Sequence, residues 1–211
     1  MPPLFPGQKD IAMSTVDRIA TALDTTGVIV AGISGDRLTA PSLCAGWDIG
    51  FELNHLIGGI HLVAAELTGT DPGGAHHDDR LGTDHRAAFA HAAALDRAAW
   101  SRPGVLGATV RFGFGAVPGT MAALIHLTEI VVHGIDLAVV TGQQDRIDED
   151  QAVDLLTTMR GMDFGRFRRP GMFGDPRPVP ADAPAHRQLL GFLGRAERPE
   201  QGGRIAPVTG R

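Results

Sequence analysis

Between Asp10 and Ile33 the apolar residues Ile11, Val16, Ile19, Ala20, Leu23, Val28 and Ile29 recur at three- and four-residue steps. That is the period of one helix face, so a first helix is predicted over about 10–33. A stretch rich in Ser, Thr, Gly and Pro follows, up to Gly46. Asp48 then offers a carboxylate to the free amides of a second helix running to about Thr68. The segment from Gly69 to Thr83, with TDPGG and HHDDR, reads as a loop. An alanine-rich third helix is predicted from about Asp84 to Trp100. From Pro103 to Val117 the pattern changes to alternation interrupted by glycine, as in a short hairpin or extended crossover. Pro118 suits the first position of a fourth helix, which runs to about Val140 and stops near Gly142. A fifth helix is predicted over about Asp148 to Phe164. A proline-rich irregular stretch and a short helix over about Ala185 to Leu193 follow it.

Four long helices, two of them nearly all apolar, predict an all-α fold built as a four-helix bundle over residues 1–145. Residues 146–195 are expected as a helical extension packed on the bundle, and 196–211 as a flexible tail.

Composition narrows what such a fold does. With 211 residues and 43% hydrophobic content, one good core is expected. A net charge of -5 without a Lys/Arg block argues against nucleic acid and anionic membrane, so a small-molecule substrate is expected. Among 19 basic residues only Lys9 is a lysine, the codon bias of a GC-rich bacterial genome. The N-terminus has no cationic segment followed by an apolar run, and no span of about 20 uncharged apolar residues occurs, so a cytoplasmic protein is expected, as monomer or homodimer. The single cysteine, Cys44, excludes an internal disulfide and a thiolate-only metal site.

The candidate chemistry lies in the fourth helix, where His126, Glu129, His133 and Asp136 fall on one stripe among apolar neighbours. Burying a carboxylate with two imidazoles is costly unless something pairs with them, and a divalent metal takes both as ordinary ligands. The second helix offers a counterpart in His55, followed by Gly58 and Gly59. Each glycine costs a helix about 1 kcal/mol relative to alanine, so either a neighbouring helix packs closely there or space is kept open beside His55. The favoured ligand set is His55, Glu129 and His133, with His126 and Asp136 orienting a ligand or moving a proton. A metal-free polar network between the two helices is the alternative, and His126 could stand in for His55.

Other signals are weaker. His76, His77, Asp78 and Asp79 resemble a ligand cluster, but in a glycine-rich loop they are expected to be solvated. Cys44 is expected as a small buried residue rather than a nucleophile. Arg166, Arg168 and Arg169 could clamp an anion, though a solvated polar face is the usual meaning of such a run. Gly113-Phe114-Gly115 has the wrong spacing for a dinucleotide loop.

Several stretches together resemble a known family: Pro41-Ser-Leu-Cys44, Trp47-Asp48-Ile49, Asn54-His55-Leu-Ile-Gly58-Gly59, His126-Leu-Thr-Glu129 with His133-Gly-Ile-Asp136, Thr141-Gly142-Gln143, residues 178–184 and the closing LLGFLGR. They are similar to actinobacterial metal-binding proteins of the DinB-like superfamily, and more narrowly to the group related to the N-terminal domain of mycothiol-dependent maleylpyruvate isomerase. The resemblance implies an up-down-down-up bundle with a divalent metal held at the positions of His55, Glu129 and His133. Zinc is expected, with nickel or iron as alternatives, and mycothiol is implied as a cosubstrate. Where the family usually has Trp this chain has Ile135, and the run Gly50-Phe51-Glu52-Leu53 departs from the commoner pattern. No counterpart of the isomerase's separate C-terminal domain is read here, so maleylpyruvate is not the expected substrate. The expected function is a metal-dependent isomerase or thiol S-transferase. A thiol-independent metalloenzyme (lyase, isomerase or cyclase) of a natural-product pathway and a non-catalytic metal-binding protein are the alternatives.

Overall fold

The computed structural model describes residues 14–169 and 172–196. Among them the chain is mostly helical: α1 (Thr15–Ala31), α2 (Ile49–Thr68), α3 (His85–Trp100), α4 (Gly119–Thr141), α5 (Glu149–Arg160) and α6 (Ala185–Phe192), with one two-stranded sheet. The expected start of the first helix at residues 10–13 and the expected tail from 197 onward lie outside the described residues.

Local chemistry explains the boundaries. Ser14 and Asp17 cap α1 reciprocally, each side chain accepting from the other's backbone amide. Asp48 accepts from the amide of Phe51 at 2.7 Å and opens α2, which ends at Gly69 in the left-handed conformation. The glycine-interrupted stretch is a hairpin, β1 (Thr109–Phe112) against β2 (Gly115–Pro118), antiparallel with Thr109 opposite Pro118. Pro118 lies just outside α4 rather than in its first turn, because its ψ of 148° is extended.

α1 packs against α3 and α4, and α2 packs against the same two helices. Ile19, Leu23, Ile57, Ile130 and Leu137 are fully enclosed between them, each such burial stabilising the fold by about 1.5–3 kcal/mol. α4 is long and apolar enough to cross a membrane by length and composition, yet most of it is buried inside the protein. Its apolarity on nearly every side is that of a central helix. A methyl group on Gly134 would stand 2.5 Å from Thr26 Oγ1, so this glycine permits the close approach of α1 to α4.

The C-terminal third differs from expectation at the end of α5 and at Arg168. α5 ends at Arg160, and Phe164 instead turns inward against Phe167, Phe173 and Phe192. Arg168 lies over the rings of Phe164 and Phe192 and donates to the carbonyls of Gly174 and Phe192. It therefore fastens the proline-rich segment to α6 and is not a free anion clamp. Beyond α6 the chain turns at Gly194, and Arg195, the last residue of the expected extension, enters the interior.

Candidate metal centre

α2 and α4 bring His55, Glu129 and His133 together, one ligand atom of each lying within 4.8 Å of the others. Nε2 of His133 stands 3.3 Å and Nε2 of His55 3.5 Å from the same oxygen, Glu129 Oε2. The opposite ring nitrogens have other partners. Nδ1 of His133 is 2.8 Å from Glu52 Oε1, and Nδ1 of His55 is 3.1 Å from Nε2 of His77. Both rings thus point Nε2 at one carboxylate while their far sides are held. A tetrahedral ion with bonds of about 2.0–2.1 Å sets neighbouring donors about 3.4 Å apart, close to the observed separations. Carboxylate support behind a ligating imidazole is the usual arrangement at such centres. The residues present fit a divalent ion.

Charge points the same way. Glu52, Glu129 and Asp136 bring three carboxylates to the cluster, and the guanidinium of Arg195 offsets one. A divalent ion with neutral imidazoles balances the remaining two. Burial opposes the charged form of Glu129, yet hydrogen bonds from His133 and His55 hold its carboxyl far below the usual range. His133 is likewise pushed toward the neutral form by burial, but its bonds to Cys44, Glu129 and Glu52 outweigh that and raise its pKa well above the ordinary value. Each group is thus tuned to bind a cation or a proton between them. The Glu129 side chain keeps 44% of its surface exposed, so the centre opens to solvent on that side.

Asp136 joins a second set of donors with Cys44, Glu52 and His133. Arg195 Nε donates to Asp136 Oδ2 at 2.6 Å, and its Nη2 lies 3.5 Å from the Cys44 sulfur. A cation already stands there. A third set, His55, His76 and His77, has no carboxylate, so of the three only His55, Glu129 and His133 offer an ion both imidazole and carboxylate with no protein cation among them. Burial, then the charge of Glu52, push Asp136 up to about 7 against the pull of Arg195. Burial also raises the Cys44 thiol. That thiol sits at the centre's edge, half-buried, rather than in an apolar core.

His126 stands apart. Its Nε2 is 2.8 Å from Asp96 Oδ2 of α3, and its ring stacks on Trp100. Seven residues from His133 it shares the stripe, but about 10.5 Å along the helix the facing neighbour is α3 instead of α2. The glycine pair is explained by neither sequence reading. A methyl on Gly58 would lie 2.0 Å from the His76 carbonyl oxygen, so a loop, not a helix and not open space, covers this face. His76 stacks on His55, and burial together with the charge of His55 lowers its pKa to about 4.

The loop between α2 and α3, expected to be solvated and unfixed, is held in place. Asn54 donates to the carbonyl of Asp78 at 3.1 Å and accepts from the amide of Arg80 at 2.8 Å, while Asp78 and Asp79 bond the loop's own amides. Sequence reasoning missed Glu52 and Arg195, and it set His77 aside as part of a solvated loop, whereas its ring meets that of His55. For Glu52 a signal existed: with Ile49, Leu53 and Leu56 it falls on the buried face of α2, an acid in a core position. For His77 the signal was the HHDD run itself, and what it lacked was the anchoring of the loop; Arg195 reaches the centre through a tertiary contact that no local pattern announces.

Three comparisons with known proteins bear on this centre. A family model described as the mycothiol maleylpyruvate isomerase N-terminal domain matches residues 19–138, which span both helices carrying the triad. Two uncharacterized proteins from strains of Mycobacterium tuberculosis are each 32% identical over 178 residues, covering 84% of this chain and 95% of their own length. No solved structure matches the chain.

Proposed function

The chain belongs to the family of the mycothiol maleylpyruvate isomerase N-terminal domain, and from that membership and the geometry of the centre we propose that it is a metal-dependent enzyme of the isomerase or thiol S-transferase type. The metal is a divalent ion, zinc first, held by His55, Glu129 and His133. The single observation that carries the reading is the convergence of two imidazole Nε2 atoms on Glu129 while their Nδ1 atoms are engaged elsewhere. Bound there, zinc lowers the pKa of a thiol or polarises a carbonyl.

The chain's own residues divide the remaining work. Glu52 fixes the tautomer of His133 by accepting from its Nδ1, and His77 meets the Nδ1 of His55 without a charge. Asp136, beside the ligands and with Oδ1 unpartnered among the described residues, is placed to take up or return a proton. Arg195 steadies Asp136 and sets a guanidinium beside the Cys44 sulfur. His126, closed off by Asp96, is assigned to tying α3 to α4 and not to proton transfer. The helices α1 to α4 are read as the up-down-down-up bundle of DinB-like proteins, with residues 146–195 as an extension fastened to it. A cytoplasmic monomer or homodimer acting on a small molecule, without nucleic acid or membrane, completes the proposal.

The test is turnover by zinc-loaded protein supplied with mycothiol and a panel of electrophiles. A rate above the uncatalysed one that is lost in His133→Ala supports the reading; no rate above background contradicts the thiol role. One observation favours a second reading: His76 fills the face left by Gly58 and Gly59, as it would in a protein that holds an ion without turning anything over. The exposed side of Glu129 weighs against it, since a closed structural site needs no opening.

A further inference from the structure

An aromatic wall stands against the triad. The Trp47 ring lies 4.9 Å from that of His55 and 6.1 Å from that of His133, nearly parallel to the latter at 15°. Phe51, one helical turn before His55, meets Trp47 edge-on at 4.8 Å and His77 at 5.5 Å. Trp47 is only half-buried, and Phe51 keeps 40% of its surface in contact with water. A single exposed phenylalanine is ordinary. Here the exposed ring is continuous with a tryptophan that touches two proposed ligands, in a centre whose third ligand, Glu129, also opens to solvent. The rings lie within reach of a small molecule whose polar end sits at the triad, and flat faces or edges of this kind bind flat apolar groups.

Resting on the metal-centre reading above, we infer that Trp47 and Phe51 form a subsite for a planar apolar group, aromatic or conjugated, of the substrate whose reacting end lies at His55, Glu129 and His133. The charged neighbours explain the division of labour. Glu52, Asp136 and Arg195 are enclosed and paired within the protein, while the Trp47 and Phe51 side offers ring surface and His77.

Two hydroxamates with one chelating head separate the subsite from the metal. Acetohydroxamate and benzohydroxamate are titrated into zinc-loaded full-length protein, followed by calorimetry and by quenching of Trp47, the other tryptophan, Trp100, being enclosed. Benzohydroxamate should bind about ten-fold tighter, the size expected of one well-formed ring contact. Phe51→Ala should bring the two affinities close together, with zinc content and acetohydroxamate affinity unchanged. Phe51→Tyr should restore the preference. Equal affinities in the unsubstituted protein, or a preference that survives Phe51→Ala, overturn the subsite while leaving the metal centre standing. If the protein takes up no zinc and binds neither probe, the metal centre falls and the subsite with it.

Discussion

Two buried histidines two turns apart on α4 live in different settings. His126 has one carboxylate partner, Asp96, and the two side chains are 3% and 0% exposed. His133 has Glu52 on one nitrogen and Glu129 on the other, Asp136 at 3.9 Å, and a route to solvent past Glu129. The first is a closed pair joining two helices, with Asp96 Oδ1 enclosed and without a partner among the described residues. The second gathers three carboxylates around one imidazole, and it opens outward. A buried histidine with a carboxylate is therefore not by itself a sign of chemistry. What distinguishes a ligand site is several donors converging on one point, far-side support for each ring, and access.

The sharpest separation comes from truncating each end of the helix. Glu129→Ala or His133→Ala should weaken zinc binding about a thousand-fold, because the roughly 10–16 kcal/mol of a zinc site is shared among three or four ligands. Competition with a chromophoric chelator measures this. His126→Ala should do the opposite: zinc affinity stays, while chemical denaturation shows a loss of about 3 kcal/mol from leaving Asp96 buried without its partner. If His126→Ala strips the metal, the division between the two ends is wrong.

Smaller effects probe the far sides of the rings. Glu52→Gln keeps the shape but removes the charge behind His133 and should weaken zinc binding about 10–100-fold. His77→Ala should cost about ten-fold, at the low end because His77 is exposed and neutral support is weaker than a carboxylate. Equal losses at the two positions would mean that charge behind the ligand does not matter here.

The parts legible in the sequence were those governed by local rules. The 3.6-residue apolar period located all four long helices, Asp48 and Gly142 marked ends, and the Glu129 to His133 spacing put two donors on one face. The choice of His55 over His126 needed two helices to be placed side by side. The loop carrying His76 and His77 looked unfixed because its anchors are an asparagine more than twenty residues earlier and the bare surface of a glycine. Arg195, the last residue of the expected extension, carried no signal because nothing near it in the chain needs a cation; Asp136, 59 positions earlier, does.

X-ray absorption at the zinc edge of the purified full-length protein tests the central claim most directly. The account predicts one zinc per chain with only nitrogen and oxygen neighbours at about 2.0–2.2 Å, from two imidazoles, the Glu129 carboxylate and solvent. A sulfur neighbour at about 2.3 Å would place the ion with Cys44, Glu52 and Asp136 and contradict it, as would a protein that binds no zinc at all.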